Sequence, residues 1–282
     1  MKPIKNLTRK GIKIMRYVAD HDIHIHSRLS SCSHDPEQTT EVILNYATEC
    51  GYKYVCLTDH FWDETIPGAS NWYKPQNFAH ICESLPLPQN DKVKFFFGCE
   101  AEMDQYLTVG VSKEVMDKLD FFIVPITHLH MSGFTRPAED NTNELRVAHF
   151  IKRFNALLDY DLPAHKVGIA HLTCPLMTPE KTIENLVECL KLISDDTFRD
   201  LFTRAAKRGY GIELNFSSRH PEDIMEQILR PYRIAKECGC KFYLGSDMHT
   251  HGAATPKCKE NFERIIDMLG LTEDMKFNPF NI

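Results

Sequence analysis

The sequence predicts an α/β fold, a barrel of parallel strands built from seven strand–helix units as one domain over residues 1–282. Three observations lead there. Short apolar or β-branched runs alternate with helix-patterned segments along the chain, an order that implies a parallel sheet with right-handed crossovers. The units number seven and show no internal sequence repeat, which suits a barrel better than an open sheet. Five runs end in His, Asp or Glu within a few residues of their last apolar position, the sixth carries Glu213 beside its last apolar residue, and the first carries such residues in its second half. In parallel α/β folds the carboxyl ends of all strands meet at one face, where active sites lie.

Residues 1–19 read as an N-terminal extension. Met1 to Arg16 is basic but lacks the apolar run and small-residue cleavage site of an export signal, so a cytoplasmic location is expected. The first strand is Asp20–His26. Strand alternation would put Asp22, His24 and His26 on one face and Ile23 and Ile25 on the other. Burying an acid and two imidazoles is costly unless something binds them, and a divalent metal is the natural partner. A helix follows over Glu41–Glu49 with Gly51 as its stop, then a strand over Lys53–Thr58 leading to Asp59-His60. Residues 61–88 hold four prolines and both tryptophans, which marks a long surface loop, a candidate lid or pocket wall, with a short helix near Phe78–Ser84.

The third strand, Val93–Cys99, ends at Glu100, and a short helix spans Ser112–Leu119. The fourth strand, Phe121–Thr127, ends at His128, with His130 two residues on. A long helix covers Glu144–Leu158. The fifth strand, Lys166–Ala170, ends at His171, and helices follow over Glu180–Ile193 and Thr197–Lys207. The sixth, Tyr210–Leu214, carries Glu213 and ends at Asn215. Glu222–Glu237 is a helix with a kink expected at Pro231. The seventh strand, Lys241–Gly245, leads to Asp247 and His249, and Asn261–Leu269 is the last helix.

Composition narrows the function. A net charge of −6 counts against a nucleic-acid-binding surface, and no run of roughly 18 apolar residues suggests a membrane span. The ten cysteines form no Cys-x-x-Cys and read as small buried hydrophobes. His24, His26, His60, Glu100, His128, His171, Asp247 and His249 are more ligands than one tetrahedral ion uses. Two or three ions sharing a carboxylate account for the excess, with Glu100 as the bridge.

Asp22-Ile23-His24-Ile25-His26-Ser27, Thr58-Asp59-His60, Gly98-Cys99-Glu100, the single His128 and His171, and Ser246-Asp247-Met248-His249 together resemble the ordered motifs of the PHP (polymerase and histidinol phosphatase) family. The resemblance spans Asp22 to His249. It implies a distorted, TIM-like (β/α)7 barrel with two or three divalent ions at its carboxyl face. His24, His26, Glu100 and Asp247 match one part of that centre; Glu100, His60, His128, His171 and His249 match the rest. The family places a further His or Asp ligand soon after the second histidine. Here Arg28 to Ser33 intervene, and His34 or Asp35 is the equivalent, with His34 favoured because Asp35 precedes Pro36 and suits a helix cap. Asn215-Phe216-Ser217-Ser218-Arg219 is similar to the Asn-centred loop of the histidinol-phosphatase branch.

These features lead to a metal-dependent phosphatase acting on a small phosphomonoester, histidinol phosphate or a similar compound. Zinc, iron and manganese all suit the nitrogen and oxygen donors. Metal-activated hydroxide would attack phosphorus. Arg219 and Asn215, with Arg28, are the candidate phosphate binders, and Asp59 or His249 would protonate the leaving group. The rival readings are a phosphodiesterase or exonuclease of the same family, and a non-catalytic module stabilised by metal.

Overall fold

The structure is a computed structural model that describes residues 8–9, 12–13 and 15–280. Residues 1–7, 10–11 and 14 of the expected extension lie outside the described residues. Seven parallel strands form the body: β1 (His21–Ile25), β2 (Tyr54–Leu57), β3 (Lys94–Ala101), β4 (Phe121–Pro125), β5 (Val167–Ala170), β6 (Gly211–Leu214) and β7 (Lys241–Leu244). They pair in chain order. Past the strand ends, the last unit meets the first: the Asp247 N–H donates to His24 O at 2.8 Å and the His26 N–H to Met248 O at 3.0 Å. The sheet is thus a nearly closed barrel.

Besides the short helix Phe78–Ile81 expected in the long loop, the helices follow the expected order: α1 (Thr40–Glu49), α2 (Lys113–Lys118), α3 (Asn143–Asp159), α4 (Ile183–Lys191), α5 (Asp195–Arg208), α6 (Glu222–Glu237) and α7 (Lys257–Leu269). Their starts are chemically marked. Thr39, Thr142, Thr182 and Ser194 each accept a hydrogen bond from the backbone N–H three residues on, which satisfies a donor that the first turn leaves unpaired. The Thr182 cap explains why α4 begins three residues later than its apolar pattern suggested. α6 runs through Pro231 as one helix, with that ring buried. α7 begins four residues early, at the turn after Pro256. Among the described residues no helix is long and apolar enough to cross a membrane.

Alternation along each strand divides the core. Val55, Leu57, Phe122, Val124, Ile169, Ile212 and Leu244 face the helices. Ile23, Tyr54, Cys56, Phe121, Ile123 and Tyr243 fill the barrel interior, joined from below by Phe277 and Phe280. The Phe277 N–H donates to Phe242 O at 2.8 Å, and the Phe280 ring stacks on Phe96 with centroids 3.8 Å apart. This segment closes the amino end of the barrel, which the sequence did not reveal.

β1 departs from simple alternation. His21 pairs with Tyr54 and Asp22 with Val55, but Ile25 pairs with Leu57, so β1 has one residue more than its neighbour over this stretch. Such a bulge turns the side chains beyond it to the other face. Asp22 consequently faces outward and accepts from the Tyr46 hydroxyl at 3.0 Å, while Ile23 faces inward and Ile25 outward. The expectation that Asp22 shares a face with His24 and His26 is corrected here: only the histidines face the carboxyl-end cluster.

Candidate metal centre

Six segments deliver the cluster. β1 supplies His24 and His26, and β3 alternation points Glu100 inward like Gly98 two residues earlier. His60 lies in a two-residue strand beside β3, and His128 follows β4. His171 and Asp247 follow β5 and β7 with φ of +52° and +54°. These left-handed conformations are uncommon for residues with a side chain and concentrate at functional sites. Ala170 already faces inward, so unbroken alternation would send His171 outward; the reversed backbone returns it to the cluster. Gly245 is needed for the same approach, because a Cβ there would collide with the Glu213 carboxylate and His24.

Glu100 lies at the centre and is fully buried. Its Oε2 is 3.6 Å from His24 Nε2, 3.3 Å from His26 Nε2 and 3.0 Å from His60 Nδ1. Its Oε1 is 3.6 Å from His171 Nε2 and 3.8 Å from His128 Nε2. Asp247 Oδ1 lies 3.3 Å from His24 Nε2 and 3.1 Å from His26 Nε2, and its Oδ2 is 3.3 Å from His171 Nε2. Despite these approaches, neither Glu100 oxygen and neither His171 ring nitrogen has a hydrogen-bond partner. Buried polar atoms are rarely left so.

A metal explains both the closeness and the missing hydrogen bonds. Ligand atoms about 2.0–2.2 Å from a tetrahedral ion stand roughly 3.3–3.6 Å from one another. The His24, His26, Glu100 and Asp247 separations of 3.1–3.6 Å match that spacing. Those four form one ligating group, and Glu100, His128 and His171 form a second. A third comprises His26, Cys32, His60 and His249.

The surrounding residues orient the imidazoles. His24 Nδ1 lies 2.5 Å from Glu213 Oε1, and His128 Nδ1 lies 2.9 Å from Glu102 Oε2. His26 Nδ1 lies 2.9 Å from Ser30 Oγ. In each case the far nitrogen is tied down and Nε2 is left toward the cluster, as in histidines that ligate metals. Glu102 is itself held by buried Arg153, at 2.8 Å, and by the Tyr73 hydroxyl, at 3.1 Å.

The electrostatics call for cations. Burial pushes His24, His26 and His171 down, but nearby carboxylates outweigh it: His24 is raised well above its ordinary value, His26 is raised to about 9, and His171 is also raised. Burial would raise Glu100 and Asp247; the charges of His60 and His171 on Glu100, and of His24 and His171 on Asp247, hold both well below the usual carboxylate range. Protons here take the place that divalent ions would fill.

Other expected residues lie elsewhere. His34 is exposed and belongs to none of the ligating groups among the described residues; Asp35 is occupied by His251, 2.6 Å away. Cys32, read from the sequence as a small hydrophobe, stands in the cluster in their place. Asp59 is buried, and its oxygens accept from the Ser27 N–H, the Ser27 hydroxyl and the Ser30 hydroxyl at 2.7–2.8 Å. It braces the loop that orients His26 and has no face left for a leaving group. His249 stacks on His26 at 4.3 Å and keeps 29% of its side chain exposed. His130 packs edge-on to His128 without joining a ligating group.

Arg219 is exposed and Asn215 half-buried. Both line a cleft of about 490 Å³ beside Gly245 and Ser246, together with Lys257 and Arg264. Arg28 is exposed on another loop and does not line this cleft. In the 61–88 loop, Trp62 and Tyr73 are buried with Phe134, and Trp72 meets His60 edge-on at 5.1 Å. The loop therefore packs as a wall beside His60.

Glu102, Glu213 and Cys32 were missed as site residues. Glu213 was visible as a carboxylate inside an apolar strand, and Glu102 as the residue two beyond Glu100. Nothing in the spacing marked Cys32.

No family model matches the chain, and no curated protein matches it. Among solved structures, the chain is similar to a histidinol phosphate phosphatase from Lactococcus lactis, solved with zinc, L-histidinol and phosphate. The two share 15% identity and a TM-score of 0.53, over 92% of this chain and 98% of that one. This likeness establishes the fold.

Proposed function

We propose that the protein is a metal-dependent phosphoesterase that hydrolyses a small phosphomonoester at the carboxyl end of the barrel. The observation that carries the reading is Glu100: a buried carboxylate whose two unpartnered oxygens face two different ligating groups. His24, His26, Glu100 and Asp247 would hold one divalent ion, and Glu100, His128 and His171 a second. When bound, such ions lower the pKa of water toward neutrality and offset charge on phosphoryl oxygens. Zinc, iron and manganese suit these donors; zinc accompanies the structural neighbour.

The chain's own residues supply the rest. Glu213 and Glu102 fix the His24 and His128 rings, so the centre is set before substrate arrives. The basic cleft carries Arg219, Lys257 and Arg264 with no carboxylate in its lining, although the chain is acidic overall. The Asn215 Nδ2 is buried there without a partner. A planar guanidinium and an amide donor suit phosphate oxygens.

The neighbour's name, and the L-histidinol and phosphate it was solved with, make histidinol phosphate the first substrate to test, and a cytoplasmic setting agrees with ten free cysteines. Phosphate release should be measured from histidinol phosphate, a panel of other monoesters, and a model diester, with zinc, iron or manganese supplied. Monoester turnover is the expected result. Turnover of the diester alone would replace the reading with a phosphodiesterase. Hydrolysis of nothing, combined with a lower melting temperature on chelation, would leave a structural metal module.

A further inference from the structure

We infer that Cys32 Sγ, with His60 and His249, holds a third ion in a mixed sulfur–nitrogen site that prefers a borderline-soft divalent cation, zinc or cobalt, to manganese or magnesium. The inference rests on reading the cluster as a metal centre and adds a thiolate to it.

Four ligand atoms, from His26, Cys32, His60 and His249, lie within 4.8 Å of one another. His26 is already committed to the group with Glu100 and Asp247, which leaves Cys32, His60 and His249 for a separate ion. Three protein ligands with an open position is the usual arrangement of a working, as opposed to a purely structural, zinc site.

The loop carrying Cys32 is held on both sides. The Ser31 N–H donates to Gln76 Oε1 at 2.8 Å, and the Ser33 hydroxyl donates to the His249 carbonyl at 2.7 Å. The second contact joins the loop to the segment that supplies another ligand of the same group. Ser30, two residues earlier, donates to Asp59 at 2.8 Å. Cys32 is therefore placed by its neighbours before any ion binds.

A sulfur ligand changes what the position selects. The other groups offer only imidazole nitrogen and carboxylate oxygen, which accept zinc, iron and manganese alike, whereas thiolate disfavours the hard cations. The Cys32 position should thus differ in metal preference from the nitrogen–oxygen positions of the same cluster.

The test is cobalt substitution of the full-length protein, read by absorption and metal content. A thiolate-to-cobalt charge-transfer band in the near ultraviolet is expected, with three ions per chain. Cys32→Ser should lose the band and one ion while retaining two, and Cys32→His should restore the third ion without the band. Cys174→Ser, a cysteine outside the group, and His34→Ala should leave both intact. A band that survives Cys32→Ser, or its absence from a cobalt-loaded wild type, overturns the inference, whether or not phosphate esters are hydrolysed. A Cys32-dependent band in a protein that hydrolyses no ester supports the site and overturns only the phosphoesterase reading.

Discussion

Asp20, at the amino end of the barrel, and Glu100, at the carboxyl end, are both buried carboxylates. Asp20 sits among donors of the chain: Lys53 Nζ and Lys276 Nζ each lie 3.0 Å away and the neutral His21 ring places Nδ1 3.1 Å away. His21 in turn accepts the Leu244 N–H at 3.1 Å. Glu100 is buried more completely, yet its oxygens accept no hydrogen bond and face imidazoles, of which those of His24, His26 and His128 have their far nitrogen already engaged. One end balances its charge internally. The other is left for a cation that the chain does not supply. The energetic cost of burying charge is met by the chain's own groups at one end and left unmet at the other.

The largest expected effect follows from removing the shared carboxylate. Glu100→Ala should lose both nitrogen–oxygen ions by elemental analysis and lower phosphate release by on the order of 10³-fold or more, the scale of removing one electrostatic group from an active site. Full metal content and full activity would contradict the bridging role.

Next comes pH. In the metal-free protein His26 is raised to about 9, so its proton contributes stability that is fully present below the unfolded value of about 6.5 and is lost as pH rises through 9. Metal must displace that proton, so metal affinity should rise between pH 6 and 9. The gap in melting temperature between loaded and chelated protein should widen over the same range. A gap that is flat or narrows would break the contrast between the two ends.

A smaller loss is expected from Glu213→Gln, which keeps the shape but removes the charge facing His24 Nδ1. Metal affinity should fall by about 10–100-fold, measured by competition with a chromogenic chelator. The smallest effect on turnover belongs to Asp20→Asn. It should cost roughly 1–3 kcal/mol of stability in denaturant and leave turnover per folded molecule unchanged. The Asp20 pKa is held low by His21, Lys276 and Lys53 against the upward push of burial. Its contribution is therefore present above the unfolded value of about 3.9 and is lost as pH falls below it.

Much of this was legible because strand ends advertise themselves. Glu100, His128, His171 and Asp247 each close an apolar run. Features that break a period were not legible. The bulge in β1 inserts a residue that no alternation rule anticipates, and so Asp22 was assigned to the wrong face. Left-handed backbone at His171 and Asp247 reverses side-chain direction without a glycine to signal it. Cys32 and Asp59 depend on the path of an irregular loop, where spacing says little about reach. Phe277 and Phe280 follow the last helix and look like any apolar tail until the barrel floor is seen.

The β1–β7 seam carries one more implication. Ser246 and His24 are 222 positions apart, and the ion assigned to His24 and Asp247 would span that seam, clasping the first strand to the last. Such a cross-link limits the unfolded chain as a ring closure does, with a cost to disorder that grows slowly with loop length. Ions captured there would therefore act as a lock on the completed barrel, and their release would loosen first the edge where the circle of strands was joined.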